Sequence, residues 1–359
     1  MSIRILSITC RAVAMAMMMP AAAFADDLPD GDALERDAAV IGDIRLEKAN
    51  VFDLSNPAEN NWLYRLANRL HIVTKDKTIK KQLLFKSGDP YSAQQVDESE
   101  RILRQNLYLF DADIKPVQYE DGKVDLVVKT RDVWTLNPDV SITRSGGENR
   151  TKLGLEENNL LGRGQLLRVS RIEDVDRTSD SFEFGDRHLG RSWVSAYLRI
   201  ADNSDGETRF LSAVRPFYAL DTRWSAGGWF LDDDRREALY VLGNEAAEYQ
   251  HRREYRTLFG GWSQGLKEGC VRRWTAGFVY DDNRFSTVPS PTLPAAIPED
   301  RELAYPFVGL EILEDEFETS KNSDQIGKTD DYFLGSRFSV SQGWSDDAFG
   351  ASRDALIVS

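Results

Sequence analysis

Hydrophobic spacing changes character near Trp134 and splits the chain in two. Over residues 40–52 apolar and polar positions alternate, with Ile44 and Leu46 on one face, which predicts a strand. Asn56-Pro57 breaks it. Over 60–72 the period lengthens: Leu63, Leu66, Ala67 and Leu70 recur at helical spacing with arginines opposite. A short apolar run, 79–85, precedes the turn Ser87-Gly88-Asp89-Pro90, and Ser92 opens a second predicted helix. Ser92 and Gln95 match a capping box, and Val96, Ile102, Leu103 and Leu107 supply the apolar stripe. Residues 114–118 and 124–129 are predicted strands. They meet through Asp121-Gly122, the residue pair a two-residue hairpin turn favours. The order strand, helix, helix, strand, strand predicts an α+β domain over residues 40–132, with two helices on one face of a three-stranded sheet. Residues 26–39 are polar and turn-rich and predict a flexible lead-in.

Beyond Trp134 no helix is predicted. Candidate strands of about ten residues recur at 136–144, 151–158, 165–173, 181–186, 193–201, 208–217, 223–231, 238–242, 252–262, 272–281, 305–313 and 332–342, between Gly, Asn and Asp turns. Val194, Ala196, Leu198 and Ile200 share a face opposite Ser195 and Arg199. Trp274, Ala276, Phe278 and Tyr280 oppose Arg273 and Thr275, and Val308, Leu310 and Ile312 oppose Gly309 and Glu311. Tyr255 and Phe259 read as the apolar face opposite Arg252, Glu254 and Arg256. One apolar face per strand suits either a barrel in lipid or the inside of a sandwich. Tryptophans and tyrosines near strand ends, Trp224, Trp262 and Trp274 among them, favour interfacial girdles and thus an antiparallel membrane barrel over 133–359.

Composition narrows the function. The formal charge of −14 argues against nucleic acid as a partner. Negative mean hydropathy excludes a polytopic helical membrane protein but not a barrel. At the start, Arg4 and Arg11 precede the apolar run 12–25, which ends Ala23-Phe24-Ala25 before Asp26-Asp27. That pattern predicts an export leader over residues 1–25. Cys270 is then the sole cysteine of the processed chain, and His71, His188 and His251 stand apart with no partner at metal spacing. Asp232-Asp233-Asp234 and Asp281-Asp282 are expected in loops or turns, and Glu156-Glu157 at a strand end. No nucleophile elbow, zinc motif or phosphate loop is present, so no enzyme activity, cofactor, metal or catalytic residue is predicted.

Two segments carry a resemblance. Gly88-Asp89-Pro90-Tyr91-Ser92, the helix with Ser99, Arg101 and Leu103, then Leu107-Tyr108-Leu109-Phe110 and the hairpin closing on residues 122–128, resemble the second half of a POTRA domain. Leu153 to Leu167 (LGLEENNLLGRGQLL) resembles the opening turn of the surface-antigen barrel of the BamA/TamA superfamily; Asn158, Asn159, Leu160, Gly162, Gly164 and Gln165 carry it. Gly162 and Gly164 are the residues able to take positive φ in such a turn. Residues 215–218 and 221–224 look like an early barrel hairpin of the same family. The resemblance implies a single-POTRA outer-membrane barrel, probed at Gly88, Asp89, Tyr91 and Ser92 in the domain and at the turn residues in the barrel. It implies a periplasmic N-terminal domain, a lipid bilayer around the sheet, unfolded outer-membrane or secreted client proteins as partners, and periplasmic accessory subunits. The implied function is protein insertion or translocation, with client strands received by β-augmentation at residues 44–51 or 114–118. A passive channel or surface antigen, and a soluble two-domain binding protein, are the other readings. The family barrel has sixteen strands, a later lumen loop with a Val/Ile-Arg-Gly core, and a terminal aromatic strand. This sequence shows about a dozen strands and neither of the other features, so it is expected to be the N-terminal part of such a barrel.

Overall fold

The structure, a computed structural model, describes residues 28–145, 148–190, 192–242, 244–288, 297–323 and 325–359. The expected leader lies outside the described residues. The first unit contains α1 (Gly31–Arg36), β1 (Val40–Ala49), α2 (Trp62–Leu70), α3 (Asp76–Lys80), α4 (Ala93–Arg104), β2 (Leu109–Glu120) and β3 (Lys123–Asp132). The last strand is central, parallel to β1 and antiparallel to β2. Its composition explains the position: Val124, Leu126 and Val128 are fully buried on one side and Val127 is buried on the other. Asp121 and Gly122 close the β2–β3 hairpin with φ of 50° and 73°, the left-handed pair of a tight hairpin turn. At the start of α4, the Ser92 hydroxyl accepts from the Gln95 N–H at 3.4 Å, and Val96 and Leu103 enter the core.

Three features depart from the sequence pattern. The segment read as a flexible lead-in contains α1, capped by the Asp30 carboxylate, which accepts from Ala33 N–H at 2.7 Å. Its Leu34 is fully buried; one apolar residue among charges shows no period to detect. α3 is five residues long, too short for a periodic signal, yet it buries Ile79. α2 forms where expected, but Leu63, Leu66 and Leu70 stay exposed. Leu34, Ile79 and Leu83 fill the core beside α4 instead.

The second unit is a meander. It comprises β4 (Leu136–Ser145), β5 (Glu148–Glu157), β6 (Gln165–Glu173), β7 (Thr178–Asp186), β8 (Ser195–Asn203), β9 (Gly206–Arg215), β10 (Trp224–Val241), β11 (Asn244–Lys267), β12 (Cys270–Thr287) and β13 (Arg301–Glu314). A separate hairpin of β14 (Phe317–Lys321) and β15 (Thr329–Phe333) follows, then β16 (Arg337–Ser345) and β17 (Ala355–Val358). Among the described residues twelve strands form one antiparallel sheet in chain order, with β13 passing directly to β16. β4 and β17 are its edges and do not pair with each other.

Register sorts the two faces. Paired positions carry one apolar face across the sheet: Val140 with Leu153, Leu155 with Val169, Phe182 with Ile200, Leu198 with Leu211, Leu258 with Phe278, and Leu310 with Val340. Much of this face is open to its surroundings: Val140 is 68% exposed, Leu258 73% and Val308 59%. A soluble monomer rarely exposes an apolar patch beyond a few hundred Å², and here the exposure recurs strand after strand. Trp224, Trp262 and Trp274 stand opposite one another on this face, near the end of the sheet that meets the first unit.

The opposite face is polar and internally paired. Arg168 pairs with Glu156 and, at 2.9 Å, with Glu183; Arg253 meets Asp281 at 2.8 Å and Arg273 meets Glu311 at 2.9 Å. Tyr255 and Phe259 belong to this polar face, while Leu258 and Trp262 lie on the apolar one. That reverses the expected orientation of β11, because Arg256 sits beyond the apolar band with its guanidinium 5.6 Å from the Phe230 ring centroid. The acidic clusters are corrected too: Asp232–Asp234 lie inside β10 and Asp281 and Asp282 inside β12. β11 has 24 residues, roughly 80 Å of strand, and runs well past the apolar band. Beyond the band, cross-strand partners such as Thr208, which donates to Asp233 at 2.6 Å, keep the acidic residues in ladder register where the sequence suggested turns.

Candidate functional site

The joint between the two units gathers the residues that the sequence singled out in the barrel. The connection between β5 and β6 is a loop holding one 3₁₀ turn, Leu160–Gly162, in which Leu161 takes φ 54°, so it is longer than a tight hairpin. It docks on the first unit. Asn159, nearly fully buried, donates from Nδ2 to the Thr74 hydroxyl at 2.9 Å and accepts from the Gly164 N–H at 2.8 Å. Thr74 donates its hydroxyl (2.9 Å) and its N–H (2.7 Å) to one oxygen of Asp132, the final residue of β3. The same oxygen takes His71 Nε2 at 2.9 Å. Gly162 gives its carbonyl to the Lys75 N–H (2.9 Å) and the Thr78 hydroxyl (3.0 Å). At φ 71° its missing side chain leaves room for the Val73 carbonyl, which would stand 2.7 Å from a Cβ. Gly164 lies against the Tyr108 ring, whose hydroxyl would meet a Cβ at 2.7 Å. Burial pushes the Tyr108 phenol up, so it stays neutral and accepts from Gln82 Nε2 at 2.7 Å.

The remaining turn residues flank this contact. Asn158 donates to Glu156, Leu160 is half-buried, and Gln165 donates to Asp186 at 2.8 Å. The domain motif lies elsewhere. Gly88 (φ 90°) and Asp89 run beside the start of β1, exchanging backbone bonds with Ile41, while the Tyr91 N–H bonds Ala39 O. Tyr91 is buried in the core and Ser92 caps α4. These four shape the α+β domain and do not touch the joint.

Four turns on the near rim of the sheet contact the first unit. Besides residues 158–164, the β7–β8 turn engages it: Lys81 Nζ reaches the His188 carbonyl at 3.4 Å and Arg187 the Gln105 carbonyl at 3.2 Å. Glu98 accepts from the Leu220 N–H at 2.7 Å in the β9–β10 turn; burial raises its carboxyl above the usual range. The β14–β15 hairpin closes the set. Arg104 makes two bonds to Asp331 (2.8 and 2.6 Å), and Arg101 sits 4.0 Å from the Phe317 ring centroid. Burial opposes the Arg104 charge, yet Asp331 and Glu100 outweigh it and hold the guanidinium protonated. α4 therefore lies across the near end of the sheet. The sequence reading missed His71, Thr74, Asp132, Glu98, Arg104 and Asp331. Each is a common polar residue whose partner lies far along the chain, and only a Thr-Asp or Arg-Asp match in space distinguishes it.

His188 reports on this docking. Burial, with Lys81 and Arg187 nearby and Asp186 in partial opposition, pushes its imidazole down to about 4. Between pH 6.5 and about 4 the unfolded chain binds a proton that the folded chain does not. Stability is therefore full above pH 6.5 and falls as pH drops through that window, by up to about 3 kcal/mol. His188→Gln should flatten this acid slope in a thermal melt series from pH 7.5 to pH 4, values set by the imidazole range. An unchanged slope would place the titration elsewhere.

Residues 71–131 match the POTRA family, described as surface antigen variable number repeat. No curated protein matches the chain significantly. Among solved structures, BamA from Haemophilus ducreyi lacking POTRA domains 1–3 aligns at 14% identity over 84% of this chain and 71% of that one, with a TM-score of 0.35. CdiB from Acinetobacter baumannii aligns at 13% identity over 86% of this chain, with a TM-score of 0.39. CdiB from Escherichia coli aligns at 10% over 84%, with a TM-score of 0.32. The chain spans only 49% and 61% of these two CdiB chains. α3, α4, β2 and nearly all of β3 lie within the matched segment, so the first unit is a POTRA domain, and it runs straight into the twelve-stranded antiparallel meander. Among the described residues the chain holds one POTRA domain, followed by the open antiparallel sheet.

Proposed function

We propose that the chain inserts or translocates polypeptides at the bacterial outer membrane, its sheet in the bilayer and its POTRA domain in the periplasm. The observation that carries this reading is a pair of unfilled strand edges on the two units. In the POTRA sheet, residues 88–91 cover only the start of β1, leaving Asp43 to Ala49 without an outer strand neighbour among the described residues. In the large sheet, β4 is an edge strand among the described residues. Main-chain groups on such edges recruit an extended strand by hydrogen bonding, and alternate side chains select it. A groove of about 370 Å³ crosses the sheet from β1 over β3 to β2, lined by Glu47, Ala49, Arg131 and Phe110, and could take side chains of a bound segment. A client received on β1 would pass to the β4 edge. The docked turns, with Asn158, Asn159, Leu160, Gly162, Gly164 and Gln165 at their centre, would hold the two edges in a set relation. The chemistry is strand exchange and calls on no cofactor.

The channel reading loses its basis for anion selectivity, because Arg168, Arg253 and Arg273 on the polar face are already neutralised by carboxylates. A photo-crosslinking residue at Arg45 in β1 and another at Ile142 in β4 tests the proposal in proteoliposomes given an unfolded outer-membrane protein. Both positions should capture the client. Conductance with no adduct at either position would instead make the chain a passive pore or surface antigen.

A further inference from the structure

We infer that α2 and the lysines that follow it form a docking surface for anionic phospholipid in the leaflet nearest the POTRA domain; this rests on the membrane placement proposed above. α2 carries an apolar face that none of the described residues covers. Trp62 is 75% exposed, Leu63 53% and Leu70 64%, with Leu66 beside them. At 100° per residue these four fall within one quadrant or slightly more, with Arg65 and Arg69 next to Trp62 and Ala67 and Asn68 turned inward. A short helix with Trp and Leu on one side and arginines along the border is the pattern of a helix lying in a lipid interface.

Two further observations identify the occupant. The first is position. The helix ends at the joint, where Ile72 and Lys75 flank Gly162 at 3.4 and 3.5 Å from its would-be Cβ. Exposed Ile72 and Leu161 thus carry the apolar surface from α2 to the near rim of the sheet, the end marked by the Trp224, Trp262 and Trp274 row. The second is charge. The chain as a whole is strongly acidic, yet residues 62–81 hold six cations (Arg65, Arg69, Lys75, Lys77, Lys80, Lys81) against the one carboxylate of Asp76. Asp76 is engaged by Lys48 at 2.6 Å, and Lys81 lies 3.9 Å from Asp186. Lys75, Lys77, Lys80 and the adjoining Arg163 form no ion pair among the described residues and line one open cleft. Apolar anchors with unpaired cations beside them fit a phosphate-bearing amphiphile better than a client strand, which needs a sheet edge.

The test uses the full chain in lipid nanodiscs, with Cys10 and Cys270 replaced by serine and an environment-sensitive fluorophore at Trp62→Cys or, as reference, at Leu258→Cys. Quenching by nitroxide lipids is compared in pure phosphatidylcholine and with about 30 mol% phosphatidylglycerol, a typical anionic surface. The expected result is quenching at position 62 by headgroup nitroxides and at 258 by mid-chain nitroxides. Phosphatidylglycerol should strengthen the first, and Lys75→Gln, Lys77→Gln and Lys80→Gln together should erase that gain, at roughly fivefold in partition per residue. Quenching at 258 but not at 62 overturns the inference and leaves the membrane reading intact, assigning the α2 face to a protein partner or second copy. No quenching at 258 rejects the membrane reading itself. Quenching at 62 that ignores both phosphatidylglycerol and the lysines overturns the anionic-lipid claim.

Discussion

Asp132→Ala should lower the stability of the POTRA domain by about 3 kcal/mol or more and undock the β5–β6 turn. The carboxylate is fully buried, and one of its oxygens accepts from His71, from the Thr74 N–H and from the Thr74 hydroxyl. Removing it strands three buried donors, each costing roughly 1–3 kcal/mol when left unpaired. Thr74 also loses the acceptor that orients its hydroxyl toward Asn159. Asp132→Asn keeps an oxygen acceptor at the same place and should cost about half as much. Urea titration followed by hydrogen exchange at residues 71–75 and 158–164 measures both effects. Equal losses in the two variants, or a loss in Asp132→Ala below about 1 kcal/mol, would mean the hub does not hold the joint.

Gly162→Ala and Gly88→Ala form a matched pair with unequal expected outcomes. Both glycines have positive φ, 71° and 90°, so each alanine carries a left-handed backbone cost of about 1 kcal/mol. At Gly88 nothing lies within 4 Å of the new Cβ, and the cost ends there. At Gly162 the Val73 carbonyl stands 2.7 Å away, a backbone atom that cannot rotate aside. Relieving that clash breaks the Lys75 N–H bond to the Gly162 carbonyl, and the total should reach about 3 kcal/mol. Exchange of the Lys75 amide reads the difference directly. If that amide stays as protected in Gly162→Ala as in Gly88→Ala, the close approach has no energetic weight.

The candidate site was legible in part. Asn158, Asn159, Gly162 and Gly164 stood out in sequence as a tight hairpin turn, and the structure makes them a longer loop with one 3₁₀ turn. Their partners could not be read, because Asn159 meets Thr74 from 85 positions away and Arg104 meets Asp331 from 227. In the POTRA domain the Ser92 cap and the Asp121-Gly122 turn were local signals and held. α1 and α3 carried no signal, since six and five residues complete fewer than two helical turns. The apolar stripe of α2 was legible, but its burial was not, because a moment reports that a face exists and not what covers it. In β11 both Tyr255/Phe259 and Leu258/Trp262 offer an apolar row, and period two alone does not choose between them.

By itself, then, the sequence determined the order of elements, the meander of alternating strands and the punctuation between them. Those follow from the local backbone preferences and side-chain period that each residue carries wherever it sits. Tertiary structure alone decided which face of β11 is polar, that α2 is left uncovered, that the acidic runs continue as strand, and that the POTRA domain lies across the near rim of the sheet. Those depend on pairing register and on burial, which join positions far apart along the chain and exist only once the neighbours are in place.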